Sequence, residues 1–467
     1  MASLFSILSQ SASSLSAHQA DAATASHNMA NANTPGYARQ RVELAAVATS
    51  DKVSGGFVGR GVTIQGITQS RNRFVEAQLP QAMASAAQAQ VGADALSSIS
   101  VLNPDLDGGL GDSVAKFYSS LRALAQNPGE PSLRQAAVQS AQGMALAFNS
   151  TSKALSDARS SLDAQLQGGA NEANSLARQL ADLNGQVSTA RASGNEPNDL
   201  LDARLNIQNR LVELTGATVV PDASGDSNLI LPGGVSLVSG VRSGTLSTVS
   251  TAALGGHFEL RVIPSGGGVS AAVPKPGGEM GGVVDVRDGA IATAEARIDN
   301  LAFDLSDAIN AIHGTAYALD GTTGRNLLDP GVTAAGAASR LTVNAEVVAD
   351  PRLLGASSDP TTLPGDGTAL HAMIATESQA LASGSSPTSA LSTLTADFGA
   401  ATARLKAFAE HDATLLGNLK DLRESASGVS VDEEMVAITK AQRGYEAVMK
   451  VIQTADEMLD TLMSLRS

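Results

Sequence analysis

The two ends of this chain carry apolar stripes of one helical spacing, and that match restricts the fold more than any other feature. Near the start, Phe5, Leu8, Ala12, Leu15, Gln19, Ala22, Ser26 and Met29 recur at alternating intervals of three and four residues. That interval places them on one face of an α-helix. At the far end Ile438, Ala441, Tyr445, Val448, Ile452, Ala455, Leu459 and Leu462 repeat it with bulkier side chains, so small residues of one stripe can face large ones of the other. The spacing predicts a helix from residue 3 to Asn33, about 45 Å long, and another from Ser430 to Arg466, about 55 Å long, at 1.5 Å per residue. Aromatic residues make up only 3% of the chain and Trp is absent, so its cores are expected to be aliphatic and its helices closely packed.

The first helix is expected to stop at Asn33-Thr34-Pro35-Gly36, where proline pushes its predecessor out of the helical region and glycine supports a turn. Extended chain follows at Tyr37 to Leu44, with short strands in Gly55 to Ile67. Val114, Phe117, Leu121 and Leu124 predict a helix ending at Asn127-Pro128-Gly129, and Leu133 through Leu166 predicts a much longer one, continued by Leu176, Leu180, Leu183 and Val187. After the break at Gly194 to Asn198, Asp199 and Asp202 suit the positive end of a helix that runs to Leu214. From Ala217 to about Gly278 the helical period disappears and Val, Thr and Gly dominate, which reads as a β subdomain. Helical spacing returns from Ile291 to Ile312. Loops are expected from Gly321 to Gly367, with a strand at Leu341 to Val348. A long helix then carries Leu391, Leu394, Phe398, Leu405, Phe408, Leu415, Leu419 and Leu422. Beyond Gly428, Ser430 and Glu433 have the spacing of a capping box.

The resulting fold class is mainly α with a smaller β subdomain: paired N- and C-terminal coiled-coil helices, a long-helix bundle domain and a β-rich outer domain. The expected units are residues 1–45 with 428–467, residues 46–215 with 280–427, and residues 216–279.

The formal charge of −15, from 46 acidic and 31 basic residues, opposes nonspecific attraction to nucleic acid or anionic membranes. Cysteine is absent, which removes disulfides and thiolate chemistry. No stretch has the roughly 18 unbroken apolar residues of a spanning helix. The first basic residue is Arg39, an arrangement unlike a cleaved secretory leader, so export without a cleaved signal is expected.

Motifs that carry chemistry are weak. His18 and His27 lie nine residues apart, on opposite sides of one helix, and do not make a metal pair within a single chain. His313 precedes Gly314 at a helix end and is expected to place partial positive charge against the dipole. Ser113-Val114-Ala115-Lys116 and Ser150-Thr151-Ser152-Lys153 have the Ser-x-x-Lys form without its companion motifs. Asp105, Asp107 and Asp112 lack the spacing of a calcium loop. Asp432, Glu433 and Glu434 fit the first turn of a helix better than an acid–base pair. No catalytic, cofactor-binding or metal-binding residue is therefore expected.

Several segments together carry a family resemblance. Ser26-His27-Asn28-Met29-Ala30-Asn31, followed by Asn33-Thr34-Pro35-Gly36-Tyr37-Ala38-Arg39-Gln40, is similar to the signature of bacterial flagellar axial proteins, its key residues being Asn28, Asn31, Thr34, Pro35, Gly36, Tyr37 and Arg39. Gly59-Arg60-Gly61-Val62, the segment Asn195 to Arg204, Gly277-Gly278-Glu279-Met280-Gly281-Gly282, and the closing stretch from Gly428 through Leu462 resemble the flagellar hook-associated protein 1 family, which forms the hook–filament junction. The chain departs from that pattern at Pro197, Leu205 and Arg73, and the stretch from Asn326 to Leu341 is short where many relatives insert β-rich material.

The resemblance implies a structural component of the bacterial flagellum, located outside the cell, that joins hook to filament. The two terminal stripes listed above would be its assembly interface. The implied partners are hook protein, a second hook–filament junction protein, neighbouring copies of itself, and a cytoplasmic export chaperone on the C-terminal helix. Alternatives from other classes are an axial protein of rod or hook type, a non-flagellar coiled-coil scaffold or adhesin, and an extracellular hydrolase carried on the flagellum.

Overall fold

The computed structural model describes residues 2–47, 50–53, 56–102, 109–194, 196–222 and 225–464. Gly55, Asp105, Asp107, Asn195 and Arg466 lie outside the described residues, as does the side chain of Leu462. In chain order the elements are α1 (Ala2–Ala30), β1 (Gln40–Ala46), β2 (Ser50–Val53), β3 (Gly56–Gly59), β4 (Val62–Gln69), α2 (Arg73–Ser97), α3 (Leu110–Gln126), α4 (Pro131–Ala192) and α5 (Asn198–Thr215). Then come β5 (Thr218–Pro221), β6 (Ser227–Ile230), β7 (Ser236–Ser239), β8 (Arg242–Ser243), β9 (Thr245–Ser250), β10 (Phe258–Ile263) and β11 (Ala271–Ala272). The chain continues with α6 (Gly278–Asp285), α7 (Ala292–His313), β12 (Leu328–Asp329), α8 (Ala337–Arg340), β13 (Thr342–Val343), α9 (Ala345–Ala349) and α10 (Thr368–Ala375). It ends with α11 (Pro387–Ser427) and α12 (Val431–Ser464).

The spine is α4, 62 residues without a break. Pro131 opens it at a position where a missing N–H costs nothing. Its buried face runs through Ala141, Met144, Phe148, Leu155, Leu162, Leu166, Ala173, Ala177, Leu180 and Val187, the three-and-four spacing of a helix with one packed stripe. One end of this stripe packs on α3, its middle on α6 and α7, and its far part on α5 and the β strands.

Two asparagines of α4 set the sheets in place. Asn184, fully buried, donates to the carbonyls of Ser227 (3.0 Å) and Gly240 (2.9 Å), while its Oδ1 accepts from the Ser227 N–H (3.1 Å). Asn174 exchanges both bonds with the Leu246 backbone (2.7 and 2.8 Å). Strands β5 to β11 form two antiparallel sheets, β5-β6-β7-β8 and β11-β10-β9. Their inner residues Leu229, Leu237, Val238, Leu246, Leu260 and Val262 join the core that α4 organises.

Four sequence expectations need correction. No helix was expected over α2, because its contact face is alanine: Ala82, Ala89 and Ala93, with Leu79, pack against Ala409 and Leu419 of α11. Small residues give little periodic signal yet allow close helix approach. The helix expected from Ile291 begins earlier, at Gly278, and reaches α7 through a π-helical turn at Val286–Ile291. Gly281 and Gly282 let it cross α2, since a Cβ at Gly282 would run into the Gln88 carbonyl. The strand expected at Leu341 to Val348 is two residues long, and Asn344 then caps α9 by accepting from the Glu346 N–H. The boundary expected after residue 45 cuts the β1–β4 ladder, whose register runs from Gln40↔Gln69 to Ala46↔Val62.

His313 also differs from expectation. It is buried, donates from Nδ1 to the Arg325 carbonyl (2.7 Å) and accepts the Gly355 N–H at Nε2 (2.9 Å). An acceptor nitrogen carries no proton, so the ring is a neutral crosspiece rather than a charge for the dipole. Burial holds its pKa below the ordinary 6.5, and the nearby Arg325 charge acts the same way, against the Arg325 carbonyl bond. The unfolded chain therefore takes up a proton that the folded chain refuses, and stability falls as pH drops below about 6.5. Denaturant unfolding at about pH 7.5 and pH 5.5 should show this loss, and His313→Gln should flatten the difference.

Candidate assembly interface

The terminal helices pair antiparallel: Asn28 of α1 meets Glu434 of α12, and Gly444 lies against the His18 ring. Along the C-terminal stripe Ala441 and Ala455 are buried and Ile438, Tyr445, Val448, Ile452 and Leu459 half-buried. The N-terminal stripe is less covered. Phe5, Ala12, Gln19 and Ser26 are exposed, Phe5 by 65%, and Leu8, Leu15, Ala22 and Met29 are only half-buried. The covered residues of α1 are Ser11, Ala17, Thr24, Ala25 and Asn28. The seam Ser11, Ser14, His18, Asp21, Ala25, Asn28 thus lies one residue earlier, a rotation of about 100°. On the α1 side the helices meet through small and polar groups, with the larger apolar residues of α1 less covered, while α12 contributes its bulkier apolar stripe.

Asn28 explains this choice. Its Nδ2 donates to the Gln40 carbonyl (2.9 Å) and to Glu434 Oε2 (3.1 Å). Its Oδ1 accepts from the Tyr37 hydroxyl (2.8 Å) and the Gln40 N–H (2.9 Å). All four hydrogen-bonding capacities of the amide are filled, and they tie α1, the following turn, β1 and α12 together. Tyr37 has its pKa raised by burial and then by Asp199, Asp202 and Glu434, so its hydroxyl stays protonated as a donor. Its oxygen contacts His27 Nδ1 at 3.0 Å, and Asn31 reaches His27 Nε2 at 3.2 Å. Thr34 donates to Asn31 Oδ1 (3.2 Å).

The turn itself is locked from outside. Gly36 adopts φ +82°, open to glycine, and a Cβ there would collide with Asn206. Asn206 donates to the Pro35 carbonyl (3.1 Å) and Arg423 to the Gly36 carbonyl (2.8 Å). Arg39 binds Glu433 (2.6 Å) and lies 2.6 Å from the buried Glu434 carboxylate, off the N–H axis, an ion pair without a linear hydrogen bond. Glu433 therefore does not close the expected capping box; the Ser430 hydroxyl accepts from its N–H at a long 3.5 Å, and its carboxylate goes to Arg39. Glu434 serves Asn28 and Arg39, a larger role than complementing the dipole, while Asp432 stays exposed.

Around this clasp gathers a polar junction that the sequence reading saw only in part. Asp199 accepts from Gln40 (3.2 Å). Asp202, buried, accepts from Gln69 (2.9 Å) and pairs with Arg71. Asn198 donates to the Ile67 carbonyl (2.7 Å). Glu76 bridges Arg71 (3.3 Å) and Arg423 (3.1 Å). The participants missed from sequence are Arg71, Glu76, Asn206 and Arg423. Glu76, Asn206 and Arg423 sit on exposed-looking helical positions and Arg71 in the short connection before α2, and only the convergence of α2, α5 and α11 on one turn reveals their roles.

The same unit leaves apolar side chains uncovered. Phe5 and Ile7 on α1, Leu44 and Ile64 opposite one another on the β1–β4 ribbon, and Val431, Met435, Val436, Val451, Met458 and Met463 on α12 are all exposed. Concentrated on one thin unit, such surface marks an interaction site. Removing the Asn28 amide strands several buried groups at once, so Asn28→Ala should lower the opening free energy of the terminal pair by about 3 kcal/mol or more, read by hydrogen exchange in α12. Asn33→Ala, on the exposed side of the turn, should stay within about 0.5 kcal/mol of the parent.

Comparison with known proteins gives consistent results. Residues 96–328 match the model of the helical domain of the flagellar hook-associated protein FlgK, and residues 423–465 match that of the C-terminal region of the flagellar basal body rod proteins FlgEFG. Flagellar hook-associated protein 1 of Salmonella typhimurium is 30% identical over 331 residues, 70% of this chain and 60% of that protein. The Escherichia coli K12 protein of the same name is 24% identical over 99% of this chain and 100% of its own length, and that of Bacillus subtilis 28% over 99% of each. In fold the chain is similar to the flagellar hook junction protein FlgK from Burkholderia pseudomallei, with a TM-score of 0.65 at 17% identity, covering 75% of this chain and all of that one.

Proposed function

Because the chain belongs to the flagellar hook-associated protein 1 family, we propose that it is a structural subunit of the bacterial flagellum that joins hook to filament through its terminal helices. The observation that carries this reading is the α1–α12 pair, whose α1 side is small and polar while Phe5, Ile7, Val436, Val451, Met458 and other apolar side chains face outward. A two-helix unit with so little buried apolar surface gains little against the entropy of ordering two long helices. Neighbouring copies supply the missing burial, and ordering of the chain ends is coupled to polymerisation.

In this reading the inner tube is built from the terminal helices together with the β1–β4 ribbon. The α2-to-α11 bundle lies outside it, and residues 216–279 form the outermost β part. Hook protein lies on one side and the second junction protein on the other. Before assembly an export chaperone covers the exposed apolar residues of α12, among them Val436 and Met458, and the subunit leaves the cell without a cleaved signal peptide. No catalytic role is proposed.

Deleting Ser430 to Ser467 should leave a folded middle that does not join hooks. Normal filaments in such a strain would end this reading. Leu459 is already half-covered by α1, so Leu459→Asp should weaken both the helix pair and assembly. Val436, 68% exposed, separates the two effects. Val436→Asp should leave thermal unfolding of the monomer unchanged while reducing hook binding at least tenfold, because a buried charge in the polymer lacks a partner.

A further inference from the structure

On the side of the junction turned toward the sheets, β4, the start of α2, the tail of α4 and α5 enclose an open cleft of about 680 Å³. Four arginines line it, Arg71, Arg73, Arg191 and Arg204, with the carboxylates Glu76 and Glu196. Those carboxylates are already engaged. Glu76 holds Arg71 and Arg423, and Glu196 holds Arg191 at 2.7 Å. Arg71 is further neutralised by Asp202.

The other two cations are not matched. Arg204 donates to neutral acceptors, Asn184 Oδ1 (3.3 Å) and the Gly225 carbonyl (3.0 Å), and no described carboxylate lies within ion-pair distance of it. Burial disfavours its charge and Arg191 adds repulsion, which Asp226, Glu196 and Asp222 offset only from longer range. Arg73 is the first residue of α2, where the helix dipole disfavours a cation, and among the described residues it has neither an ion pair nor a hydrogen bond. In a chain with 46 acids to 31 bases, two unmatched guanidinium groups on one concave surface are the reverse of the general charge balance.

We propose that this cleft is an oxyanion-binding site, for a carboxylate or a phosphate-type group, with Arg73 and Arg204 supplying its free cationic wall. Guanidinium groups suit such ligands because their planar N–H forks match paired anionic oxygens. The anion is either a soluble oxyanion or an acidic side chain of a second copy, and both present the same chemistry to the cleft.

Titration calorimetry of the full chain with inorganic phosphate, against chloride at equal ionic strength, tests the site. Saturable binding is expected for the parent and for Arg178→Gln, an exposed arginine on α4 away from the cleft. Arg73→Gln and Arg204→Gln should each weaken it about tenfold, the size expected for loss of one charge-assisted contact. Arg204→Gln also loses its internal bonds, so Arg73→Gln, at an exposed position, is decisive. Sedimentation with and without phosphate then separates the sources: phosphate that disperses associated copies identifies a carboxylate of a second copy, and indifference identifies a soluble oxyanion. Heats indistinguishable from chloride, or undiminished binding by Arg73→Gln, would mean an adventitious ion only and overturn the proposal. Both measurements use the free subunit, so their failure leaves the reading of assembly intact.

Discussion

Everything at the base of this molecule depends on one amide. Asn28 sits where α1 must end, where the chain must turn, and where α12 must begin alongside, and it meets all three through four hydrogen bonds. A buried amide is tolerated only when its capacities are met, so this side chain dictates the positions of the Gln40 backbone, the Tyr37 hydroxyl and Glu434 together. The antiparallel register of the terminal helices follows from that point, because Glu434 opposite Asn28 brings Gly444 onto His18. The charges around it serve the same end. Arg39, Arg71 and Arg423 each link elements far apart in sequence, so the turn is held by α2, α5 and α11 as well as by its own residues.

The body above the junction is built differently, from aliphatic burial and close helix approach. Small residues do much of this work: alanines in α2 against α11, and glycines where α6 crosses α2. Isolated buried polar groups fix registers that alanine and leucine leave free. Asn174 and Asn184 align the sheets on α4. Arg134, fully buried, donates to the Pro128 and Leu354 carbonyls (2.7 and 2.6 Å), although burial lowers its pKa to about 10. It joins the loops after α7 to the start of the spine.

Long periodic segments were legible in the sequence. Apolar spacing located α3, α4 and α11, the break before Asp199 and the early acids Asp199 and Asp202 located α5, and the change to Val, Thr and Gly located the β region. What stayed hidden followed from residue size and from convergence. The α1 stripe was placed on Phe5, Leu8, Leu15 and Met29 because large apolar groups dominate any periodic signal, whereas the seam rests on Ser11, His18, Ala25 and Asn28. Alanine hid α2 in the same way. Glu433 had the local spacing of a cap, but Arg39, nearly four hundred positions away, takes its carboxylate (2.6 Å). The motif Asn28 to Gln40 was recognisable as a unit; its role as a knot between helices was not, since its ligands Asn206, Glu434 and Arg423 are fixed only by tertiary folding.

The uninterrupted helix α4 spans about 90 Å at 1.5 Å per residue and carries the loop region at one end and both sheets at the other. A continuous helix with one face packed carries a single register along its whole length, so the loop region and the sheets are fixed relative to one another through it. The chain passes from this body to the terminal pair at two narrow places, Ser70 to Asn72 and Gly428 to Ser430. There Ser70 donates its N–H to the Arg39 carbonyl (2.8 Å), and the Ser427 carbonyl accepts from the Arg39 N–H (2.9 Å). Arg39 thus ties both crossings to the terminal pair through its own backbone.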